Sequence, residues 1–406
     1  MSTVVIVGAG HAAGQVAASL RQDGHEGPII LLGDEPVIPY QRPPLSKQYL
    51  SGEQAIERVY LRPQKFYDDK KIDVRTGVTV DRIDCAAKSV HTNTGDTASD
   101  TISYDHLIIA TGSRARKLSI EGSNLDGIHY LRSVADVDAI RGEMAPGKRL
   151  VIVGGGYIGL EVASVAVVAG LEVHVIEMES RILQRVTTPD MSAYYHQLHA
   201  SRGVHIHTST GVKGFSGTGG RVNAVPAGDT SFPADLVIVG IGIIPNIEIA
   251  RDAGITCDNG IVVDEHCRTS DPFVYAIGDC TNHPNPLLGR RLRLESVPNA
   301  MDQARVASAN IRGDAKTYSA IPWFWSDQYE LKLQMVGFSA DGNQQVLRGD
   351  KAANQFAVFY LKDGIVVAAD AVNSPKEFML CKQMIGKPVD AAKLADPAQD
   401  LKALLA

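Results

Sequence analysis

The chain is poor in cysteine. Its 406 residues hold five: Cys85, Cys257, Cys267, Cys280 and Cys381. The number is odd, the spacings are wide and no C-x-x-C occurs. A disulfide framework and a structural zinc site are therefore not expected, nor is any other metal site. A reducing, cytoplasmic setting fits, with the thiols acting as small buried hydrophobes. Long apolar runs are also missing, and none approaches the ~18 uncharged residues of a membrane span. Positive charge is scarce: the net charge is −6, the pI is about 6.1, and Lys and Arg form only short clusters. Nucleic acid and membrane surfaces are poor candidate partners. Strand-forming residues begin at Val4, which leaves no room for a targeting segment before the fold.

Glycine is plentiful at 38 residues, and hydrophobic residues make up 44%. The length suits two or three domains of about 100–200 residues each. The glycines cluster beside apolar runs, as the turns of an α/β fold require. "TVVIVGAG", "HAAGQVAASLRQDG" and "PIILLGDE" read as strand, helix and strand, and "KRLVIVGGG", "YIGLEVASVAVVAG" and "LEVHVIEMES" repeat that order. "YDHLIIATGSRAR", "PADLVIVGIGIIPN" and "DPFVYAIGDC" read as further buried strands, and "SVPNAMDQARVASANIRG" as a helix. From about residue 320 the texture becomes that of antiparallel strands, closed by a helix at "SPKEFMLCKQMIG".

Each β-α-β unit has glycines where the backbone must turn sharply and approach a phosphate. The first has Gly8, Gly10 and Ala13 in G-x-G-x-x-A spacing; the second has Gly154, Gly156 and Gly159 in G-x-G-x-x-G spacing. A dinucleotide pyrophosphate then meets the free N–H groups of a helix start. An acidic residue ends each second strand, Asp34 or Glu35 in the first unit and Glu177 in the second. A carboxylate there accepts from ribose hydroxyls and repels a 2′-phosphate, so Glu177 favours NADH. Arg181 and Arg185 lie close behind and weaken that preference. Two cradles imply two adenine dinucleotides, FAD and NAD(H). Asp279 in "YAIGDC" follows a strand and a glycine, where it could accept from a ribityl chain, or serve as a turn residue.

"VVIVGAGHAAG", "RPPLSK", "VIVGGGYIGLEVA", "TSDPFVYAIGDC", "ESVPNAMDQAR" and "PWFWSDQY" together make the chain resemble a known family. It is similar over its whole length to the FAD-dependent ferredoxin reductases of bacterial monooxygenase systems, members of the two-dinucleotide-domain disulfide-reductase superfamily. The resemblance implies an α/β fold like that of glutathione reductase, with two Rossmann-like domains and an α+β C-terminal domain. The FAD domain would span residues 1–111 and 246–319, the NAD domain 112–245 and the C-terminal domain 320–406. Carried over, Gly8, Gly10, Ala12, Ala13, Arg42, Thr111, Gly112 and Gly278 would bind FAD, with Asp34 and Glu35 near the adenosine ribose. Val80 and Arg132 would contact the adenine half or its surroundings. Asp279 would hold the ribityl chain and Val297 would back the flavin. Lys47 would face the isoalloxazine, paired with Glu161. Gly154, Gly155, Gly156, Tyr157, Ile158, Glu177, Gly242 and Glu295 would bind NAD. Lys47, Glu161, Glu295 and Trp325 would form the catalytic surroundings. Taken as residues alone, Lys47 could be a surface lysine, Glu295 a paired structural carboxylate and Trp325 a core anchor.

Disulfide reductases, peroxidases and water-forming oxidases of this superfamily need a thiol beside the flavin. The early stretch "YQRPPLSKQYL" contains none. Electrons must therefore leave singly to an external carrier. The expectation is an NADH-dependent reductase of a 2Fe-2S ferredoxin that serves a cytochrome P-450 or related oxygenase, acting as a monomer. No residue need be a nucleophile or general acid. Two alternatives stay open, an NADH oxidase-type enzyme and a flavoprotein like apoptosis-inducing factor. Arg290, Arg291, Arg293 and Arg305 form a candidate patch for an acidic ferredoxin.

Overall fold

The structure, a computed structural model, describes residues 2–93 and 100–405. It divides into two compact units. The first comprises Met1–Arg42, Ala55–Arg114 and Ile243–Pro322; the second comprises Pro43–Gln54, Ala115–Gly242 and Trp323–Ala406.

In the first unit a parallel sheet runs in the order Val274–Ala276, His106–Ile109, Val4–Val7, Ile29–Leu32, Ile72–Arg75. Val4–Val7 is buried on both faces, as a central parallel strand must be. The helix His11–Gln22 follows it and packs against the helix Val297–Ile311 through small residues, among them Ala13, Ala17, Ala300, Ala304 and Ala307. A three-stranded antiparallel meander over Thr79–Asp84, Ser89–Asn93 and Asp100–Ser103 contributes Val80, Ile83, Val90 and Ile102 to the core beneath the sheet.

The second unit holds two sheets. One is parallel, in the order Val204–His207, Glu172–Ile176, Arg149–Val153, Leu236–Val239, Ile128–His129. The helix Tyr157–Val168 packs on it, and a meander over residues 216–233 adds Phe215, Val222 and Val225 to a core with Val151 and Val153. The other is antiparallel, in the order Trp323–Gln328, Leu331–Gly337, Ile365–Val372, Gln355–Lys362, Gln344–Asp350. A common core joins Leu160, Ile182 and Tyr195 to Leu333, Phe356 and Val372.

The expected strands and helices of both β-α-β units are present. Three features depart from the sequence reading. Neither meander was foreseen. Asp279 sits in a 3-10 turn, Gly278–Cys280, and a hairpin over residues 281–292 separates it from the next helix. The helix Pro375–Met384 does not close the chain, because a short helix at Ala391–Ala395 and a 3-10 turn at Leu401–Leu404 follow it. Arg348 ties that tail down by donating to the carbonyls of Leu394, Pro397 and Gln399.

Candidate functional site

The two glycine turns have the same construction. Gly8 has φ +108°, and a Cβ there would lie 2.3 Å from the Ala110 carbonyl oxygen. Gly154 has φ +109°, and its Cβ would lie 2.4 Å from the Gly240 carbonyl oxygen. Both positions therefore require glycine. Gly10 and Gly156 are the N-caps of the helices that follow. Neither helix has a side-chain cap or an acidic residue in its first turn. By contrast, the helices at Val134–Glu143 and Val297–Ile311 are capped by Ser133 and Ser296. A Cβ at Gly10 or Gly156 would meet nothing within 4 Å. Two helix starts thus present donors to open space, which fits pyrophosphate groups.

The residues expected around FAD lie in the first unit, except Lys47 and Arg132. Ala12 and Ala13 are buried in the first turn after Gly10. Gly278 abuts Ala12, since a Cβ on it would stand 3.2 Å from the Ala12 Cβ. This brings Asp279 to the first cradle, and Asp279 Oδ2 accepts from Ser113 Oγ at 3.0 Å. Thr111 and Gly112 are pinned by Asn246: Thr111 Oγ1 donates to its carbonyl at 2.6 Å and its amide N–H donates to Gly112 O at 3.0 Å. Of the two candidate carboxylates, Glu35 is the engaged one. It accepts from the Tyr40 hydroxyl at 2.6 Å and from Arg42 Nη2 at 2.8 Å, while Asp34 is exposed. Burial works against the Arg42 charge, but Tyr40, Glu35 and Asp279 outweigh it and hold the guanidinium above its ordinary range. Val297 is the first residue of its helix. Val80 is buried in the core cluster. Arg132 belongs to the second unit and precedes the helix Val134–Glu143.

The residues expected around NAD lie in the second unit, except Glu295. Glu177 Oε2 accepts from the Gly155 N–H at 2.7 Å and Oε1 from the Glu179 N–H at 2.9 Å, so the carboxylate is pre-set at the cradle. Arg181 is committed elsewhere. It donates to Thr187 O at 2.9 Å, Ser192 Oγ at 2.8 Å and Gln184 O at 2.9 Å, while Arg185 is exposed. Ile158 is exposed, and Gly242 has φ +101°. Tyr157 directs its hydroxyl to Met335 Sδ at 2.7 Å and its ring to Phe324 at 5.3 Å. Burial pushes that hydroxyl far above its usual range. Glu295 belongs to the first unit, is exposed and is ion-paired to Arg293.

The second unit also holds the Lys47–Glu161 pair. Lys47 Nζ lies 2.6 Å from Glu161 Oε2, with the side chains 10% and 2% exposed. A buried pair of this kind needs its remaining lone pairs satisfied. Ser46 Oγ donates to Oε2 at 2.5 Å and Ser326 Oγ donates to Oε1 at 2.6 Å. The sequence reading missed both serines. Their signal lay in its own motifs, since Ser46 is the serine of "PPLSK" and Ser326 that of "PWFWSDQY". Trp325, next to Ser326, is half-buried and packs on Trp323 with ring centroids 5.6 Å apart.

The five cysteines are unpaired. Cys267, Cys280 and Cys381 are buried, whereas Cys85 and Cys257 are half-exposed. Burial raises all five thiols, Cys280 to about 11. None has the lowered pKa of a redox-active thiol.

Residues 2–304 match the pyridine nucleotide-disulphide oxidoreductase family, and residues 323–405 match the reductase C-terminal family. The chain is 43% identical to rhodocoxin reductase of Rhodococcus erythropolis, over 100% of this chain and 94% of that protein. It is 44% identical to the reductase in a crystal structure of the covalent putidaredoxin reductase–putidaredoxin complex, with a TM-score of 0.95 over 100% of this chain and 98% of that one. It is 40% identical to the ferredoxin reductase for the CYP199A2 system from Rhodopseudomonas palustris, with a TM-score of 0.96 over the full length of both.

Proposed function

Because the chain belongs to the pyridine nucleotide-disulphide oxidoreductase family and ends in a reductase C-terminal domain, we propose that it is an NADH-dependent, FAD-containing ferredoxin reductase. The carrying observation is the combination of two uncapped glycine cradles with five unactivated thiols. A bound FAD would supply an acceptor for the hydride of NADH and a one-electron donor to the carrier. The putidaredoxin complex and the ferredoxin reductase for the CYP199A2 system support a 2Fe-2S ferredoxin as acceptor, feeding a cytochrome P-450 or related oxygenase.

The first cradle would hold the FAD pyrophosphate, Arg42 would supply a cation to it and Asp279 would accept from the ribityl hydroxyls. Glu177 accepts from the adenosine ribose of NADH, and because Arg181 is occupied it leaves a 2′-phosphate with a carboxylate for a neighbour. Lys47, held by Glu161, would supply positive charge to offset the negative charge of a reduced flavin. The domain division proposed is 1–111 with 246–319 for FAD, 112–245 for NAD, and 320–406 for the C-terminal domain. A cytoplasmic location and a monomeric state complete the reading, and no helix among the described residues is long and apolar enough to cross a membrane.

Ferredoxin docking is proposed on the first unit. Arg305 on the helix Val297–Ile311 and Arg312 at its C-cap, ion-paired to Asp302 and Asp314, border with Arg62, Lys316, Asp23 and Asp314 a groove of about 720 Å³. Arg291 is a poorer docking residue than its sequence neighbourhood suggests. Its guanidinium is spent on the carbonyls of Val263 and Asn282, at 2.7 and 2.5 Å. The deciding experiment is NADH-driven reduction of a panel of purified 2Fe-2S ferredoxins. Fast turnover with at least one of them is expected; colourless protein that cannot be loaded with FAD refutes the reading.

A further inference from the structure

A chain of hydrogen bonds leads from the Lys47–Glu161 pair to the edge of the second unit. Ser326 Oγ donates to Glu161 Oε1 at 2.6 Å, and Gln328 Nε2 donates to Ser326 Oγ at 3.1 Å. Gln328 Oε1 and His199 Nε2 are 2.7 Å apart, and His199 Nδ1 and the Tyr329 hydroxyl are 3.1 Å apart. Glu161, Ser326, Gln328 and His199 are each no more than 1% exposed. Tyr329 is half-exposed and lies under the Arg202 guanidinium at 5.1 Å.

The direction of this chain follows from its inner end. A carboxylate only accepts, so the single Ser326 hydrogen goes to Glu161. Ser326 Oγ must then be met by a donor, which orients the Gln328 amide with its NH₂ inward and its carbonyl outward. That carbonyl only accepts, so His199 carries its hydrogen on Nε2. Its Nδ1 lone pair then accepts from the Tyr329 hydroxyl. Every donor points toward Glu161. Burial holds His199 neutral, with its pKa lowered to about 4, as this polarity requires.

We infer that Ser326, Gln328 and His199 are positioning residues for the Lys47–Glu161 pair, forming a one-way chain of dipoles that keeps the Glu161 carboxylate aimed at Lys47. Aligned hydrogen bonds in a buried network polarise one another, so the outer links strengthen the inner one. The amide of Gln328 cannot relay a proton as a hydroxyl does, so the chain orients charge and does not conduct it. The inference rests on the reading of Lys47 as the flavin-facing cation.

Two measurements on the FAD-loaded full chain test it. The first is the ¹⁵N spectrum of histidine-labelled protein, which does not depend on the functional reading. A neutral Nε2–H tautomer at His199 is expected, and an Nδ1–H tautomer overturns the chain. The second is stopped-flow reduction by NADH. Ser326→Ala should slow flavin reduction about tenfold, the low end for losing one bond to a charged group, with the KM for NADH within about twofold. Gln328→Leu should act in the same direction by about threefold, as the loss of a more distant link. Ser326→Thr, which keeps the hydroxyl, should restore the rate. A lowered Tm with unchanged reduction rate and flavin spectrum in both Ser326→Ala and Gln328→Leu would mean a merely structural role and overturn the inference. A protein that binds no FAD refutes the functional reading instead, and the histidine tautomer then decides the chain by itself.

Discussion

Two buried groups in the second unit have pKa values shifted in opposite senses of charge, and separating their effects is a quantitative test of the packing. Asp370 accepts from Thr187 Oγ1 at 2.7 Å and from the Tyr360 hydroxyl at 2.8 Å. Burial pushes its carboxyl up from 3.8 to about 6, and the two donors pull back only part of that. Its titratable neighbours are Tyr157, Tyr195, Tyr360 and Cys381. Burial pushes His199 the other way, from 6.5 to about 4, opposed by its bond to Gln328 and assisted by His196. Folded Asp370 binds its proton more tightly than the unfolded chain does. Its contribution to stability is therefore fully present below about pH 4 and is lost as pH rises through about 6. Folded His199 binds its proton more weakly. Its contribution is present above about pH 6.5 and is lost as pH falls toward about 4. Each change is worth ~3 kcal/mol at about 1.4 kcal/mol per pH unit. In the intact protein the two slopes oppose each other across the same window. Asp370→Asn removes one of them. Its Tm relative to the parent should fall between about pH 6.5 and pH 4 by on the order of 3–4 °C. His199→Gln should move the opposite way. The assay is thermal melting of the FAD-loaded chain in small pH steps, with parent and variant in the same buffers. A Tm difference for Asp370→Asn that stays flat from pH 4 to 7 refutes the claim that this carboxyl is buried without a cation.

Asp279→Ala should lower FAD occupancy, because a charged acceptor worth about 1.5–3 kcal/mol is lost; release of flavin on gel filtration measures it. Glu177→Ala should narrow the preference for NADH over NADPH in kcat/KM, and unchanged selectivity would mean that another residue sets it. Replacing all five cysteines should leave NADH reduction of the flavin intact apart from stability; a thiolate–flavin charge-transfer band that vanishes in a single cysteine variant would refute single-electron exit. Arg305→Glu should raise the KM for ferredoxin at low salt and leave that for NADH unchanged, whereas Arg291→Glu should instead lower Tm by leaving the Val263 carbonyl without its donor, at about 1–3 kcal/mol, while the Asn282 carbonyl keeps the Val263 N–H.

The glycine turns were legible because their constraint is local. A positive φ and a backbone carbonyl within 2.4 Å leave only glycine at Gly8 and Gly154, and the strand–turn–helix order around them is written in neighbouring residues. The two meanders escaped because short half-exposed strands such as Thr79–Asp84 alternate weakly. Charge neighbours escaped for a related reason. "GRRLRLES" reads as a free basic cluster, yet the fold engages the guanidinium of the exposed Arg291 on carbonyls and pairs Arg293 with Glu295.

By itself, the sequence determined two dinucleotide cradles, the acidic residue at the end of each second strand, and the lack of a paired thiol. All three depend on residue types at short, fixed spacing. Only the tertiary structure decided which of Asp34 and Glu35 is engaged, that Arg181 is occupied while Arg185 is exposed, and that Ser46, Lys47 and Ser326 converge on Glu161. Glu161 is separated from Ser46 by 115 positions and from Ser326 by 165. No local pattern links residues that far apart. What joins them is that both oxygens of a buried carboxylate must find hydrogen-bond donors, and only the packed fold brings those donors within reach.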